Sequence, residues 1–315
     1  MDPLTHALVG AGVAALTGDK LSLADPRHLG AMLGALAPDI DIAFQLLGDI
    51  PYLTHHRGSS HSVIGVVGAS LAIAAGLWVL MGGAGLGAVF LWTFLGAVSH
   101  VVLDILNSYG AKVFWPFSQK KISLNLLVLA DPVIIVLFAG AVLLPGGQEY
   151  TAKAVFWLTF FYLGTRIWFK RKAYHTLRYK YRDKGVKRIV VMPAMVSLLN
   201  WAFLVETKDA YVVGEMPLLT LHPGVKKILD KGPGNAWTGK ALKSRLGRIF
   251  QNFTPYFYIY HCLEDGKHIV RFCDLRYYFK EDFLHNATVI FDETQTMVDA
   301  VFQPYNKNRK IRIMG

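Results

Sequence analysis

The sequence predicts a mainly α-helical integral membrane domain of four to six helices, followed by a small antiparallel β-rich cytoplasmic domain. Three observations predict it. Apolar residues, 53% of the 315, gather in the first half of the chain in long runs with few charges. A strongly basic stretch closes that region, and beyond it the pattern changes to short β-type runs separated by turn signals. Such an apolar content, with a positive mean hydropathy, is too high for an ordinary soluble enzyme.

Residues 62–81, 86–106, 124–145 and 152–169 each approach the roughly 20 apolar residues that span a bilayer. Four spanning helices are expected there. Two weaker segments, near 4–17 and 29–47, are short or carry Asp39 and Asp41. Each is open to spanning, re-entering or packing against the others. The expected boundaries are 1–170 for the helical membrane domain, 171–188 for a basic juxtamembrane linker and 189–315 for the β-rich domain.

In that last domain, Tyr256–Tyr260 leads through Glu264-Asp265-Gly266-Lys267 to His268–Phe272, a hairpin signature. Further turns are expected at Thr207-Lys208-Asp209 and Asp292-Glu293-Thr294. A regulatory, structural or substrate-presenting role fits the domain, and the sequence names no protein partner for it. The start of the chain carries Asp2 and no nearby Lys or Arg, so no removable signal peptide is expected. Cys262 and Cys273, both in the tail, exclude a disulfide framework and thiolate ligation in the helical part.

Charge sets the orientation. Lys170, Arg171, Lys172, Arg178, Lys180, Arg182, Lys184, Lys187 and Arg188 follow the last apolar run, and the positive-inside rule makes them cytoplasmic. Alternating the spans backward from there puts the loop with Lys112, Lys120 and Lys121 inside. The Gly82-Gly83 turn and the Pro145–Glu149 loop fall outside. His6, Asp39, Asp41, His56, His61, His100 and Asp104 then share one face, at the cytoplasmic interface of a multi-pass protein of the plasma (inner) membrane. The net charge of +11 is concentrated in the juxtamembrane stretch, where Tyr174, Tyr179 and Tyr181 interleave with the cations. Anionic lipid headgroups are the expected partner, and without a nucleic-acid motif no nucleic acid is.

Ionisable groups among membrane-type helices read by default as function. Imidazole with carboxylate is a ligand mix for divalent transition metals, and the groups at hand exceed the needs of one mononuclear site. Two or more ions are expected, zinc first, with manganese or iron as alternatives. His100 and Asp104 lie four apart on an apolar helix and project from one face; taken alone, they read equally as a buried histidine satisfied by an aspartate. Asp39 and Asp41 follow Pro38 and repel unless a cation or proton lies between them, or else they cap a helix. In His56-Arg57-Gly58-Ser59-Ser60-His61, Arg57 offers a fixed positive fork for a phosphate or a developing oxyanion; the plain alternative is an exposed polar loop. His6 draws notice only with the others, and His55 is a neighbour. Asp131, before Pro132, either caps a helix or supports a ligand from behind. His28, His175, His222, His261, His268 and His285 show no comparable spacing.

Through MDPLTHALVG, LGALAPDIDIAF, HRGSSHSVIG, LGAVSHVVLDILNSYG and WPFSQKKISLNLLVLADP, about residues 1–145, the chain resembles the YdjM-type family of membrane-bound metal-dependent hydrolases. That family is distantly grouped with zinc-dependent phospholipase C and P1-type nucleases. The resemblance implies metal ligation by His6, Asp39, Asp41, His56, His61, His100 and Asp104, with Arg57 near the substrate. Asn125 stands where the family often has an acid.

Together these readings predict a membrane hydrolase in which metal-activated water cleaves a phosphoester, a lipid one by the depth of the site, with Asp41 or Asp39 taking the water's proton and Arg57 assisting. The rival is a non-enzymatic metal-binding membrane protein, a transporter or sensor. A transporter calls for ligands near the bilayer midplane and inverted repeats, and the sequence shows neither. A reporter that works only in the cytoplasm, fused to the C-terminus, is expected to be active; an inactive reporter, with its periplasm-only counterpart active, overturns the orientation.

Overall fold

The computed structural model describes residues 1–82, 85–144, 148–195, 197–304 and 309–313, without the side chains of Leu53, His55 and Gln148. The expected turn at Gly82-Gly83 and the expected loop Pro145–Glu149 therefore lie partly outside the described residues. Two compact units emerge, 1–46 with 55–168, and 47–54 with 169–315.

In chain order the helices start with α1 (Pro3–Ala15) and α2 (Pro26–Leu36). A 3-10 helix (Ala37–Leu47) continues α2, and α3 (Asp49–His55) and a short 3-10 turn (Ser59–His61) follow. Then come α4 (Val63–Met81), α5 (Leu86–Leu106), α6 (Pro132–Leu143) and the long α7 (Gln148–Lys180). One device begins three of these helices. Asp2, Asp25 and Asp131 each precede a proline and accept a backbone N–H of the first turn. The proline fixes a helical φ where no donor is needed, and the carboxylate satisfies an N–H that the helix cannot.

Among the described residues, three helices are long and apolar enough to cross a membrane: Pro26–Leu47, Val63–Met81 and Leu86–Leu106. This corrects the expected set. The weak segment 29–47 qualifies because the 3-10 helix runs on from α2. Residues 124–145 do not, because the Asp131-Pro132 start confines α6 to 12 residues. Residues 152–169 lie within α7, which is not among the three. The basic stretch is not a linker up to Lys180 either, since α7 continues through it for 33 residues in all. No proline or glycine interrupts residues 165–184, and Ala173 and Leu177, four apart on one face, are buried with Tyr181, Val191, Trp201 and Phe203.

The second unit holds two antiparallel sheets. The first is a meander, β1 (Arg188–Pro193), β2 (Asn200–Glu206), β3 (Ala210–Pro217) and β4 (Gly224–Asp230), in that order. Two helices, α8 (Ala236–Lys243) and α9 (Arg245–Phe253), precede the strands of the second sheet. Those strands are β5 (Phe257–Glu264), β6 (Lys267–Asp274), β9 (Asn286–Phe291), β10 (Met297–Gln303) and β11 (Ile311–Arg312), with a small β7–β8 pair (Tyr278–Phe279, Asp282–Phe283) between β6 and β9. Their order is β11-β10-β9-β6-β5. Asp265 and Gly266, both at positive φ, make the expected turn between β5 and β6. The turns at 207–209 and 292–294 likewise join β2 to β3 and β9 to β10. Phe250 of α9 packs on Phe257, Phe272 and Phe302.

In the helical unit, α2 and α5 touch backbone to backbone. A Cβ placed on Gly34 would lie 2.1 Å from the Thr93 carbonyl oxygen, and one on Gly96 only 2.0 Å from that of Ala31. Close crossings of this kind rest on small residues. Replacing Gly34 or Gly96 with Val is expected to destabilise the unit by about 1–3 kcal/mol through overpacking, read as a lower midpoint of thermal unfolding in detergent. Gly87→Ala, with nothing within 4 Å of its Cβ, is the control and should leave the midpoint unchanged.

Candidate metal centre

Pro38 begins the construction. It removes a backbone donor just after α2, and the chain tightens there into the 3-10 helix. At three residues per turn, positions two apart point about 120° from each other, so Asp39 and Asp41 meet His61 at different nitrogens and otherwise serve different partners. Asp39 Oδ1 lies 3.5 Å from His100 Nε2 and 3.7 Å from His61 Nε2. Asp41 accepts the Arg57 backbone N–H at 2.7 Å and lies 3.2 Å from His56 Nδ1 and 3.6 Å from His61 Nδ1.

The α2–α5 crossing sets His100. Its Nδ1 is 2.7 Å from the Ala35 carbonyl oxygen, which can only accept, so the proton belongs on Nδ1 and the Nε2 lone pair faces inward. There it meets His61 Nε2 at 3.2 Å, and both nitrogens approach Asp104 Oδ2, at 3.2 Å from His61 and 3.8 Å from His100. That oxygen is buried and accepts no hydrogen bond, although Arg57 Nε pairs with it at 3.1 Å. His61, His100 and Asp104 are wholly buried. Imidazole lone pairs turned toward each other beside an anionic oxygen call for a cation between them.

His6, on α1, closes the other side. Its ring stacks on that of His100 with centroids 3.5 Å apart, and its Nε2 lies 3.5 Å from Asp104 Oδ1. Two ligand groups result, His6–Asp39–His100 and His61–His100–Asp104, with His100 in both and the ligand atoms of each within 4.8 Å of one another. The Met1 ammonium hydrogen-bonds Asp104 and lies 2.8 Å from His6 Nε2. The donor set fits a divalent ion of the zinc, manganese or iron kind.

The structure therefore brings His6, Asp39, His61, His100 and Asp104 together, with Asp41 and His56 adjoining and Arg57 paired to Asp104. Asp131 does not join them. It caps α6 through Val133 and Ile134 N–H and accepts the Tyr162 hydroxyl at 2.9 Å, which is the cap of the two roles the sequence left open. A third His/Asp group, Asp19, Asp25 and His28, carries its own compensation. Arg27 pairs with both carboxylates, and the two His28 nitrogens meet Thr17 Oγ1 and Ser22 N–H. Asn107 was not singled out by sequence reasoning. It donates to Asp104 Oδ1 at 3.2 Å and accepts from Arg57 Nη1 at 3.2 Å, and its place three residues after Asp104, as the residue that closes α5, was the available signal.

Residues 1–173, more than half of the chain, match the YdjM inner membrane protein family. The chain belongs to that family. The matched span contains every residue of the cluster, and membership makes this a membrane protein with three apolar helices able to cross. Residues 237–312 match the YfhP C-terminal alpha/beta plait domain, the region of α8, α9 and the second sheet. The chain is similar to a Bacillus subtilis (strain 168) protein described as "Uncharacterized protein YfhP", 31% identical over 223 residues and covering 68% of each chain. No solved structure matches.

Because Asn107 orients both Asp104 and Arg57, Asn107→Ala is expected to weaken divalent-metal binding about 10–100-fold, the usual effect of losing a group that orients a ligand. Titration of the metal-free protein with zinc, followed calorimetrically, checks this. An unchanged dissociation constant contradicts it.

Proposed function

We propose that the chain is a membrane-bound metal-dependent hydrolase that cleaves a phosphoester, with a lipid phosphoester the favoured substrate. The observation that carries this reading is the pair of ligand groups joined at His100, with the Arg57 guanidinium on the carboxylate of one of them. His6, Asp39, His61, His100 and Asp104 would hold divalent ions, zinc first by ligand type, with Asp41 and His56 at the margin. When bound, such ions lower the pKa of water and stabilise charge on a phosphoryl oxygen.

The chain's own residues supply the rest. Arg57 is held by Asp104 and Asn107 and lies 5.5 Å from the Tyr109 ring centroid, a fixed fork for the oxygens of a phosphoester. Asp41 takes the proton of the attacking water. His56, with 31% of its side chain exposed and its Nδ1 on Asp41, passes that proton toward solvent. The basic stretch after the helices supports a cytoplasmic placement of the β-rich unit in a multi-pass inner-membrane topology. A second reading, a cation transporter or sensor, draws on the full burial of His61, His100 and Asp104.

Turnover decides between them. Purified protein loaded with zinc or manganese is expected to hydrolyse a soluble phosphodiester and a phospholipid in mixed micelles. Asp104→Asn and His61→Ala should each lower kcat at least about 100-fold, and Arg57→Lys about 10–100-fold. A fully metal-loaded wild type that turns over neither substrate, yet moves the metal across a vesicle membrane, overturns the hydrolase in favour of the transporter.

A further inference from the structure

The segment 111–122, whose Trp115-Pro116-Phe117-Ser118 run is not used in the metal centre, has a built form. An Ala111–Ile122 bridge closes its base, and Trp115 and Ser118 N–H bond back to Lys112 and Phe114 carbonyls. Lys112 is buried, with its Nζ 3.2 Å from Gln119 Oε1. The tip presents what a water-soluble loop would hide: Phe117 is 88% exposed and Phe114 57%, beside exposed Lys120.

Two backbone bonds fix where this tip lies. Val63 N–H, the first residue of α4, donates to the Val113 carbonyl at 3.0 Å, and Lys112 N–H donates to the Arg57 carbonyl at 3.1 Å. Helices α4 and α5 are consecutive and pack on each other, so Val63 and Leu106 lie at the same end of that pair, the end that also carries Asp104. The loop therefore sits where two membrane-crossing helices leave the apolar phase, against the backbone of Arg57. At that depth aromatic rings find an amphipathic layer and a lysine finds lipid phosphate.

We propose that loop 111–122 is a binding site for an anionic phospholipid of the surrounding leaflet, with Phe114 and Phe117 seated among the acyl chains and Lys120 on the headgroup phosphate. Lipid binding here is independent of the hydrolase; presentation of that phosphate to Arg57 and the metal centre rests on the hydrolase reading. The rings supply the apolar contact that free phosphate lacks, so the ligand is a lipid and not the inorganic ion.

The test uses the full-length protein in detergent, titrated with phosphatidylglycerol or phosphatidylcholine and read by native mass spectrometry. Wild type is expected to bind phosphatidylglycerol at least about fivefold more tightly, the order expected of one lysine at an anionic surface. Phe117→Ser combined with Lys120→Ser should lower the preference, any remainder being headgroup attraction to the basic stretch after Phe169, and Lys120→Arg should keep it in full. Both altered side chains are exposed, and circular dichroism checks that the variants are folded. Asp104→Asn should keep the lipid preference while turnover is lost, so a failed hydrolase reading leaves this measurement intact. Equal binding of the two lipids by wild type, a folded double variant that keeps the preference in full, or complete displacement of the lipid by millimolar inorganic phosphate overturns the proposal.

Discussion

Asp39, Asp41 and Asp104 converge on a small volume in which the Arg57 guanidinium pairs with Asp104 and the Arg57 backbone N–H donates to Asp41. Around them stand His6, His61 and His100, all buried. A carboxylate withdrawn from water costs several kcal/mol unless it is paired and hydrogen-bonded. A fold that gathered them for packing alone would lose stability at Asp41 and Asp104, the two that are buried. The cluster makes physical sense as a receptacle for positive charge, and the remaining features of the helical unit can be read as the means of building it.

Those means are simple. Small residues let α2 and α5 approach until the Ala35 carbonyl reaches His100 Nδ1, and this one hydrogen bond fixes which nitrogen faces the carboxylates. Pro38 tightens the chain after α2, so that Asp39 and Asp41 face different nitrogens of His61, with Asp39 also toward His100 and Asp41 toward His56. Glycine and serine in Gly58-Ser59-Ser60 allow the turn that brings both Arg57 and His61 to Asp41 Oδ2 and Asp104 Oδ2. Each step uses backbone geometry to aim a side chain, which is how a site can be precise in an apolar helical protein with few polar residues to spare.

Much of this was legible in the sequence because the ligands announce themselves by contrast. A histidine or aspartate in an apolar run is costly, and the i, i+4 spacing of His100 and Asp104 already puts both on one face. The hairpins of the second unit were legible from their turns, Glu264-Asp265-Gly266-Lys267 above all. Other features depended on termination signals read too lightly. The apolar run 124–145 looked like a span, yet Asp131-Pro132 starts a helix there and confines α6 to its last part. The same pair made Asp131 look available to the site when it is occupied as a cap. The cations after Phe169 suggested a linker, while the Ala173 and Leu177 stripe held the helix intact. α8 and α9 were overlooked although Leu246, Phe250 and Phe253 repeat at helical spacing. The contacts of Ala35 and Met1 could not be read at all, because they join segments far apart in the chain through backbone atoms that carry no sequence signature.

The central claim is that the His/Asp cluster exists to hold divalent metal. Elemental analysis of the purified full-length protein, set beside His61→Ala and Asp104→Ala variants of verified fold, tests it most directly. The account predicts a stoichiometric transition metal in wild type and its loss from both variants. Wild type without stoichiometric metal after exposure to zinc, manganese and iron, or variants that retain it in full, would contradict the account.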